Sequence, residues 1–289
     1  MKNIIKVLIL SMLLSINVGY VYSRAETKVF DVVETSGSII IEQDYTFNIS
    51  SGEIKAYTGV DEYVTIPSEI SGVAVTKIGV NAFANNTTVK EIVIPAGIIE
   101  IGDTSLANLD QYPFLGTTQL QAIVVDENNE NYYSKDGVLF DKNNVLLWYP
   151  QNKADEEYVV PENVIGVRKF AFYNCNNLKK LYFSQKNIQL NTWCIYYNSE
   201  LTVYCFENSD VDKYGKNNML NMIYLLLGDV NCNGIIEACD SALALQYALN
   251  TNSVNIPLPI LSDVDGNGSI DASDAAKIIQ KVLTDTYIF

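Results

Sequence analysis

Two short stretches near the carboxyl end carry the residues best suited to chemistry. In DVNCNGIIEACD, which begins at Asp229, side-chain oxygens fall at positions 1, 3, 5, 9 and 12: Asp229, Asn231, Asn233, Glu237 and Asp240. In DVDGNGSIDASD, offset by 34 residues, the same positions hold Asp263, Asp265, Asn267, Asp271 and Asp274. Hard Ca²⁺ takes six to eight oxygens at about 2.3–2.6 Å, and this spacing with glycine at position 6 bends a chain around the ion. Gly234 and Gly268 occupy that turn, and the backbone carbonyls of Ile235 and Ser269 at position 7 complete each set. The expectation is two Ca²⁺ ions, one per loop. Mg²⁺ fits less well, because it demands near-octahedral geometry and keeps its waters. Asp and Asn also make Asx-turns and helix caps, but those roles do not require the same positions to be filled in both copies. Loop 1 offers three carboxylates and loop 2 four; ligand charge tunes affinity, so loop 2 is expected to hold calcium more tightly. Ile236 and Ile270 at position 8 are expected to join the loops by a short β contact.

The elements that must position these oxygens depart from an ordinary EF-hand. Each loop leads into an apolar helix, but position 12 is Asp where an EF-hand has Glu. No entering helix is expected either: NIPLPIL before loop 2 contains Pro257 and Pro259, which oppose a helix, and NMIYLLL before loop 1 reads as strand or core. The unit is a loop followed by a helix, written twice. Residues 226–289 thereby resemble a type I dockerin, a small all-α calcium-binding module of two EF-hand-like loop–helix units. The resemblance implies a cohesin domain of a scaffoldin as partner, and two halves related by a near two-fold axis, either of which presents its helix. Partner contacts are then implied at Ala238, Cys239, Leu245 and Gln246, and at Ala272, Ser273, Ile279 and Gln280. A module this small buries too little apolar surface to be secure alone, so bound calcium is expected to supply part of its stability. Cys232 takes position 4, commonly glycine in the family. A bridge from Cys232 to Cys239 would strain the loop, so free thiols are expected. The polar linker usual before a dockerin is missing, which places the module against the preceding domain.

That preceding domain is repetitive. VTKIGVNAFANNTTVKEIVIP, residues 75–95, and VIGVRKFAFYNCNNLKKLYFS, residues 164–184, follow one template, and Ile78 to Ile101 and Val167 to Leu190 are both 23 residues apart. This spacing lies in the range of leucine-rich repeats. The triplets VTI, IVI, IVV, YVV and LYF end at Pro67, Pro95, Asp126, Pro161 and Ser184, which predicts short strands stopped by proline or a polar residue. One such unit cannot bury its apolar side alone, so copies must stack into a curved β-solenoid. Residues 56–210 resemble the BspA-like class of leucine-rich repeats of secreted bacterial and protist surface proteins, with a departure at Leu106. The fold class expected is thus multidomain, with a β-rich α+β leucine-rich-repeat solenoid (26–220, including an N-terminal cap) followed by the dockerin (226–289). The resemblance implies a recognition surface for a protein or glycan. Tyr132, Tyr133, Tyr149, Tyr173, Tyr182, Tyr196 and Tyr197 are candidate stacking platforms, as are Trp148 and Trp193, although β propensity alone enriches tyrosine in strands.

Composition excludes several functions. The 289-residue chain has 19 basic and 34 acidic side chains, a net charge of −15, and no histidine. Ser-His-Asp and Cys-His catalysis are therefore ruled out, as is any histidine metal site. No G-x-S-x-G motif occurs, and Glu127, Glu130, Asp155, Glu156 and Glu157 are placed in polar loops. No catalytic residue is assigned and the chain is read as a non-enzyme. Acidity disfavours nucleic acid and anionic lipid as partners. Residues 1–25 read as a secretory signal, with Lys2 and Lys6 ahead of an apolar run from Val7 to Val18, cleaved after Ser23 or Ala25. Removal of residues 1–25 would take away Lys2, Lys6 and Arg24, bringing the charge to −18. The resulting expectation is an extracellular, non-catalytic component of a cellulosome, the scaffoldin-based assembly that degrades polysaccharide. A polysaccharide-degrading hydrolase with an unfamiliar site in the repeats, and a calcium-dependent surface adhesin, are the competing readings.

Overall fold

The structure, a computed structural model, describes residues 38–102, 112–249, 254 and 256–284. The signal segment and Leu106 lie outside the described residues. Among these residues, no helix is long and apolar enough to cross a membrane.

A hairpin of β1 (Ile39–Glu42) and β2 (Tyr45–Asn48) opens the chain, and β3 (Glu53–Tyr57) extends it antiparallel. From β3 onward the chain coils. The first coils each donate a strand to two ladders, one through β7 (Lys77–Ile78) and β9 (Glu100–Ile101), the other through β4 (Tyr63–Thr65), β8 (Glu91–Ile94) and β10 (Ala122–Val125). The 23-residue period is literal in the register: Ile78 pairs with Ile101 in parallel, and Val167 with Leu190. In the second ladder Val64, Ile92 and Ile123 stand in line. All of these except Val167 and Leu190 fall in the first core cluster, with Phe83 and Phe114 beneath the turns. Burying one such side chain contributes about 1.5–3 kcal/mol, so stacking, not any single coil, holds the domain.

Three antiparallel strands, β11 (Tyr132–Lys135), β12 (Val138–Asp141) and β13 (Val145–Trp148), interrupt the coiling, and β13 returns it to parallel by pairing with β15 (Gly166–Val167). Four further strands form the last broad ladder: β14 (Glu157–Val159), β17 (Lys180–Tyr182), β20 (Thr202–Cys205) and β21 (Asn221–Tyr224). Of the NMIYLLL stretch, NMIY is strand, so the ladder runs on to Tyr224, and Leu225 joins an apolar cluster beyond it. Glu157 corrects one expectation: it is a strand residue, ion-paired with Lys180 at 2.6 Å. Asparagine explains the turns. Asn129 accepts from the Asn131 and Tyr132 N–H groups while donating to the Pro95 and Ile98 carbonyls, supplying partners that a tight turn leaves without strand pairing.

Helix α1 (Asp210–Asn218), capped by Ser209, closes the end of the coils. Beyond β21 come α2 (Ala238–Ala248) and α3 (Ala272–Thr284), each directly after one acidic loop. A 3-10 turn, Pro259–Ser262, precedes loop 2. The prolines oppose an α-helix as expected, yet proline at the first position is compatible with one short turn, since its missing N–H would be unbonded there anyway.

Candidate calcium site and docking face

The two loops share one scheme of backbone amides bound by the side chains at positions 1, 5 and 12. Position 1 accepts from the N–H groups of positions 5 and 6: Asp229 from Asn233 and Gly234 at 3.1 and 2.8 Å, Asp263 from Asn267 and Gly268 at 3.1 and 2.9 Å. Position 12 accepts from positions 2, 3 and 9. Asp240 takes Val230, Asn231 and Glu237; Asp274 takes Val264, Asp265 and Asp271. Position 5 receives the N–H of position 7, from Ile235 to Asn233 and from Ser269 to Asn267. Gly234 and Gly268 hold φ of 90° and 84°, a turn that residues with a Cβ rarely make.

Asp229, Asp240 and Asp274 are buried. Burial pushes the Asp229 carboxyl above the usual range, against the lowering effect of the Gly234 and Asn233 amides, while the charge of Asp240 adds to the rise. In loop 2, oxygens of Asp263, Asp265 and Asp274 lie within 4.8 Å of one another, the one such carboxylate group found among the described residues. An all-oxygen set of carboxylates, amides and carbonyls fits a hard cation such as Ca²⁺. Glu237 and Asp271 at position 9 stand aside: Glu237 accepts from Asn233 Nδ2 at 2.9 Å, and Asp271 from the Ser273 amide at 2.6 Å.

Sequence reasoning missed Lys277. Its ammonium sits 2.6 Å from Asp265 Oδ2 and, as the largest cause, holds that carboxyl below its usual range. The signal was available, because the matching residue of the first repeat is Leu243. The expected β contact between Ile236 and Ile270 is absent from the described structure, where both residues are irregular. The two halves join instead through α2 against α3, with Ala244, Ala275 and Ile278 in their shared core and Ser241 Oγ donating to the Ala275 carbonyl at 2.7 Å. Helix packing buries more apolar surface than one β bridge would, which explains the preference.

Of the eight residues assigned to partner contact, Ala238, Cys239, Leu245, Gln246, Ala272, Ser273 and Gln280 are exposed and Ile279 is half-buried. The other side of the module meets the solenoid. Cys232, Leu225, Leu258 and Leu261 pack on Tyr182 and Tyr204, themselves stacked at 4.4 Å. All five cysteines are free, and the Cys232 thiol is pushed up to about 12, chiefly by burial. It points into that cluster, while Cys239 is exposed. Cys232 holds φ of 56°, the left-handed turn that Gly266 makes at the equivalent position.

Among the aromatic candidates, Tyr149, Tyr182 and Trp148 are buried and form no platform; Tyr132, Tyr133, Tyr173 and Tyr196 are half-buried, and Tyr197 and Trp193 are exposed.

These features define a class, a leucine-rich-repeat solenoid ending in a duplicated acidic loop–helix module. Residues 227–283 match the family model of the dockerin type I domain, and residues 53–135 match that of the BspA type leucine rich repeat region in six copies. The chain therefore carries a type I dockerin, a calcium-binding kind of module, behind BspA-type repeats of the kind used in protein interaction; both are non-catalytic types of domain. No curated protein matches the chain. Among solved structures it is similar to a leucine-rich repeat protein from Eubacterium ventriosum, at 24% identity over 60% of this chain and 40% of that one, with a TM-score of 0.41. The chain thus spans about two fifths of that protein's length. It is also similar to a leucine-rich repeat protein of T. pallidum, at 17% identity over 63% and 71% of the two chains, TM-score 0.32. The pneumococcal vaccine antigen PcpA matches at 22% identity over 49% and 35%, TM-score 0.31.

Proposed function

We propose that this protein is an exported, non-catalytic component of a cellulosome. Its terminal module takes up two Ca²⁺ ions and docks on a cohesin domain of a scaffoldin, while its solenoid recognises a protein or glycan outside the cell. Asp229, Asn231, Asn233, Glu237, Asp240 and the Ile235 carbonyl would hold one ion. Asp263, Asp265, Asn267, Asp271, Asp274 and the Ser269 carbonyl would hold the other. Bound calcium would supply the positive charge that lets clustered carboxylates stay ionised. The residues do the rest: Asp240 and Asp274 tie the start of each loop to the start of its helix, and the helices carry the exposed contact residues. The observation that carries this reading is the identical hydrogen-bond scheme of the two loops around a buried position-12 Asp.

The test uses the full chain. Calorimetry should register two equivalents of calcium, and an immobilised cohesin should retain the protein in calcium and release it in EGTA. Uptake of no calcium, or passage through every cohesin column while folded, would remove the docking role.

A further inference from the structure

One surface of the solenoid has a composition that the fold does not require. The template that aligns Phe83 with Phe172, and the register that pairs Tyr173 with Tyr196, define equivalent positions in three coils. The backbone confirms the equivalence: Asn85 N donates to the Leu115 carbonyl as Asn174 N donates to that of Tyr196. The three columns read Asn81, Phe170, Trp193; then Ala84, Tyr173, Tyr196; then Asn85, Asn174, Tyr197. An early coil satisfies the framework with Asn, Ala and Asn, whereas the last two place aromatic rings at every one of these positions except Asn174.

Three of those rings sit on unfavourable backbone. Phe170, Trp193 and Tyr197 hold φ of 59°, 57° and 59°, the left-handed region that asparagine tolerates and bulky side chains rarely adopt. Trp193 is 42% exposed and Tyr197 63%, so packing does not demand them. Strain kept at exposed residues points to function. Phe170 is fully buried and backs the group, while Trp193, Tyr173, Tyr196 and Tyr197 form the ledge, with Tyr197 turned 63° to Tyr196. Trp193 lies 5.8 Å from both Phe170 and Tyr196, at 27° to each, and Tyr196 reaches Tyr197 at 4.4 Å and Tyr173 at 6.3 Å. Lys169 stands 4.7 Å over the Trp193 ring. Directly after Tyr197 in the chain, a cleft of about 240 Å³ opens, lined by Asn176, Lys179, Asn198, Ser199 and Glu200 among others.

We propose that this ledge binds an uncharged polysaccharide chain. Flat ring faces match the C–H faces of pyranose units, and the amide, hydroxyl and ion-paired Lys179–Glu200 groups of the cleft match their hydroxyls. A net charge of −15 opposes phosphate-bearing or acidic ligands. A helical or apolar peptide would look for aliphatic side chains beside the rings. Within the segment that carries the rings, Phe170 to Tyr197, the exposed large apolar residues are Trp193 and Tyr197, both aromatic; the exposed aliphatic residues Ile165 and Met219 lie outside it in the chain. The proposal rests on the reading of the solenoid as a recognition domain and names its ligand class.

The test is a fluorescence titration of the full chain, in calcium, with cellohexaose, xylohexaose and mannohexaose, and with a proline-rich decapeptide as the competing class. The chain has two tryptophans, and Trp148 is only 3% exposed, so a change reports Trp193. At least one hexasaccharide should give a saturable change. Tyr197→Asn restores the asparagine of the equivalent coils and so keeps the fold; it should weaken binding about tenfold, the upper range of one aromatic contact. Unchanged fluorescence with all three sugars, or unchanged affinity in Tyr197→Asn, would overturn the proposal. Binding of the peptide alone would overturn it too, while leaving the solenoid a recognition domain. Cohesin retention of the same variant, measured in parallel, separates either result from a failure of docking.

Discussion

At the scale of single residues, Asp274 is the position on which loop 2 depends. Its buried carboxylate accepts three backbone N–H groups at 3.0, 3.3 and 3.0 Å while facing Asp263 and Asp265. In Asp274→Ala those donors lose their acceptor, at about 1–3 kcal/mol for each buried group left unmet, and the cation site loses a ligand. Calorimetric stoichiometry should fall from two calcium ions to one. The ion that remains should be the weaker of the wild-type pair, because loop 2 has the larger carboxylate count. A variant that kept the tighter site and lost the weaker would reverse the assignment. Lys277 tempers the difference, since it neutralises part of the charge of Asp265.

Among the elements, α1 has a clear electrostatic tie to the sheet. Asp212 accepts from the Asn208 amide at 2.8 Å, Lys216 at 2.9 Å and Tyr224 Oη at 3.0 Å, linking the helix start to β21. Burial alone would raise its carboxyl; the three donors outweigh it and leave the group below its ordinary range. A depressed folded value means that the carboxylate form stabilises the native state. The contribution is complete above the ordinary Asp range and disappears as pH falls through the lowered value. Urea unfolding followed from pH 7 to pH 3 should therefore show a steeper acid loss in the wild type than in Asp212→Asn, which is weaker at neutral pH. Parallel acid limbs for the two proteins would show that Asp212 carries no such linkage.

For the whole molecule, the consequential feature is the seam between solenoid and terminal module. Cys232 contributes to loop 1 and, at the same time, to the apolar cluster with Tyr182, Tyr204, Leu258 and Leu261. Gly228 N also donates to the Leu261 carbonyl at 2.8 Å, tying the entry to loop 1 to the turn before loop 2. Calcium removal should thus disturb the seam as well as the loops. In calcium, iodoacetamide should label Cys239, the exposed thiol, and spare Cys232; in EGTA, Cys232 should become reactive. Peptide mass mapping distinguishes the two cysteines. Protection of Cys232 that persists in EGTA would mean that the seam holds without calcium.

How much of this was legible in the sequence follows from the reach of each interaction. The coil period, the ladder triplets and both acidic loops are local patterns, and the structure pairs Ile78 with Ile101 and repeats one hydrogen-bond scheme in both loops because short-range geometry dictates them. The sequence by itself thus determined a stacked β-rich domain and a duplicated loop–helix tail. Only the tertiary structure decided the contacts between distant segments: that α2 and α3 join by helix packing and not through Ile236 and Ile270, that Lys277 covers Asp265, that Tyr149 and Tyr182 are core while Trp193 and Tyr197 face water, and that Cys232 is a wedge into the solenoid. Each of these depends on which apolar surfaces meet after the chain has closed on itself, and burial is set by the whole fold, whatever the residue's neighbours in sequence.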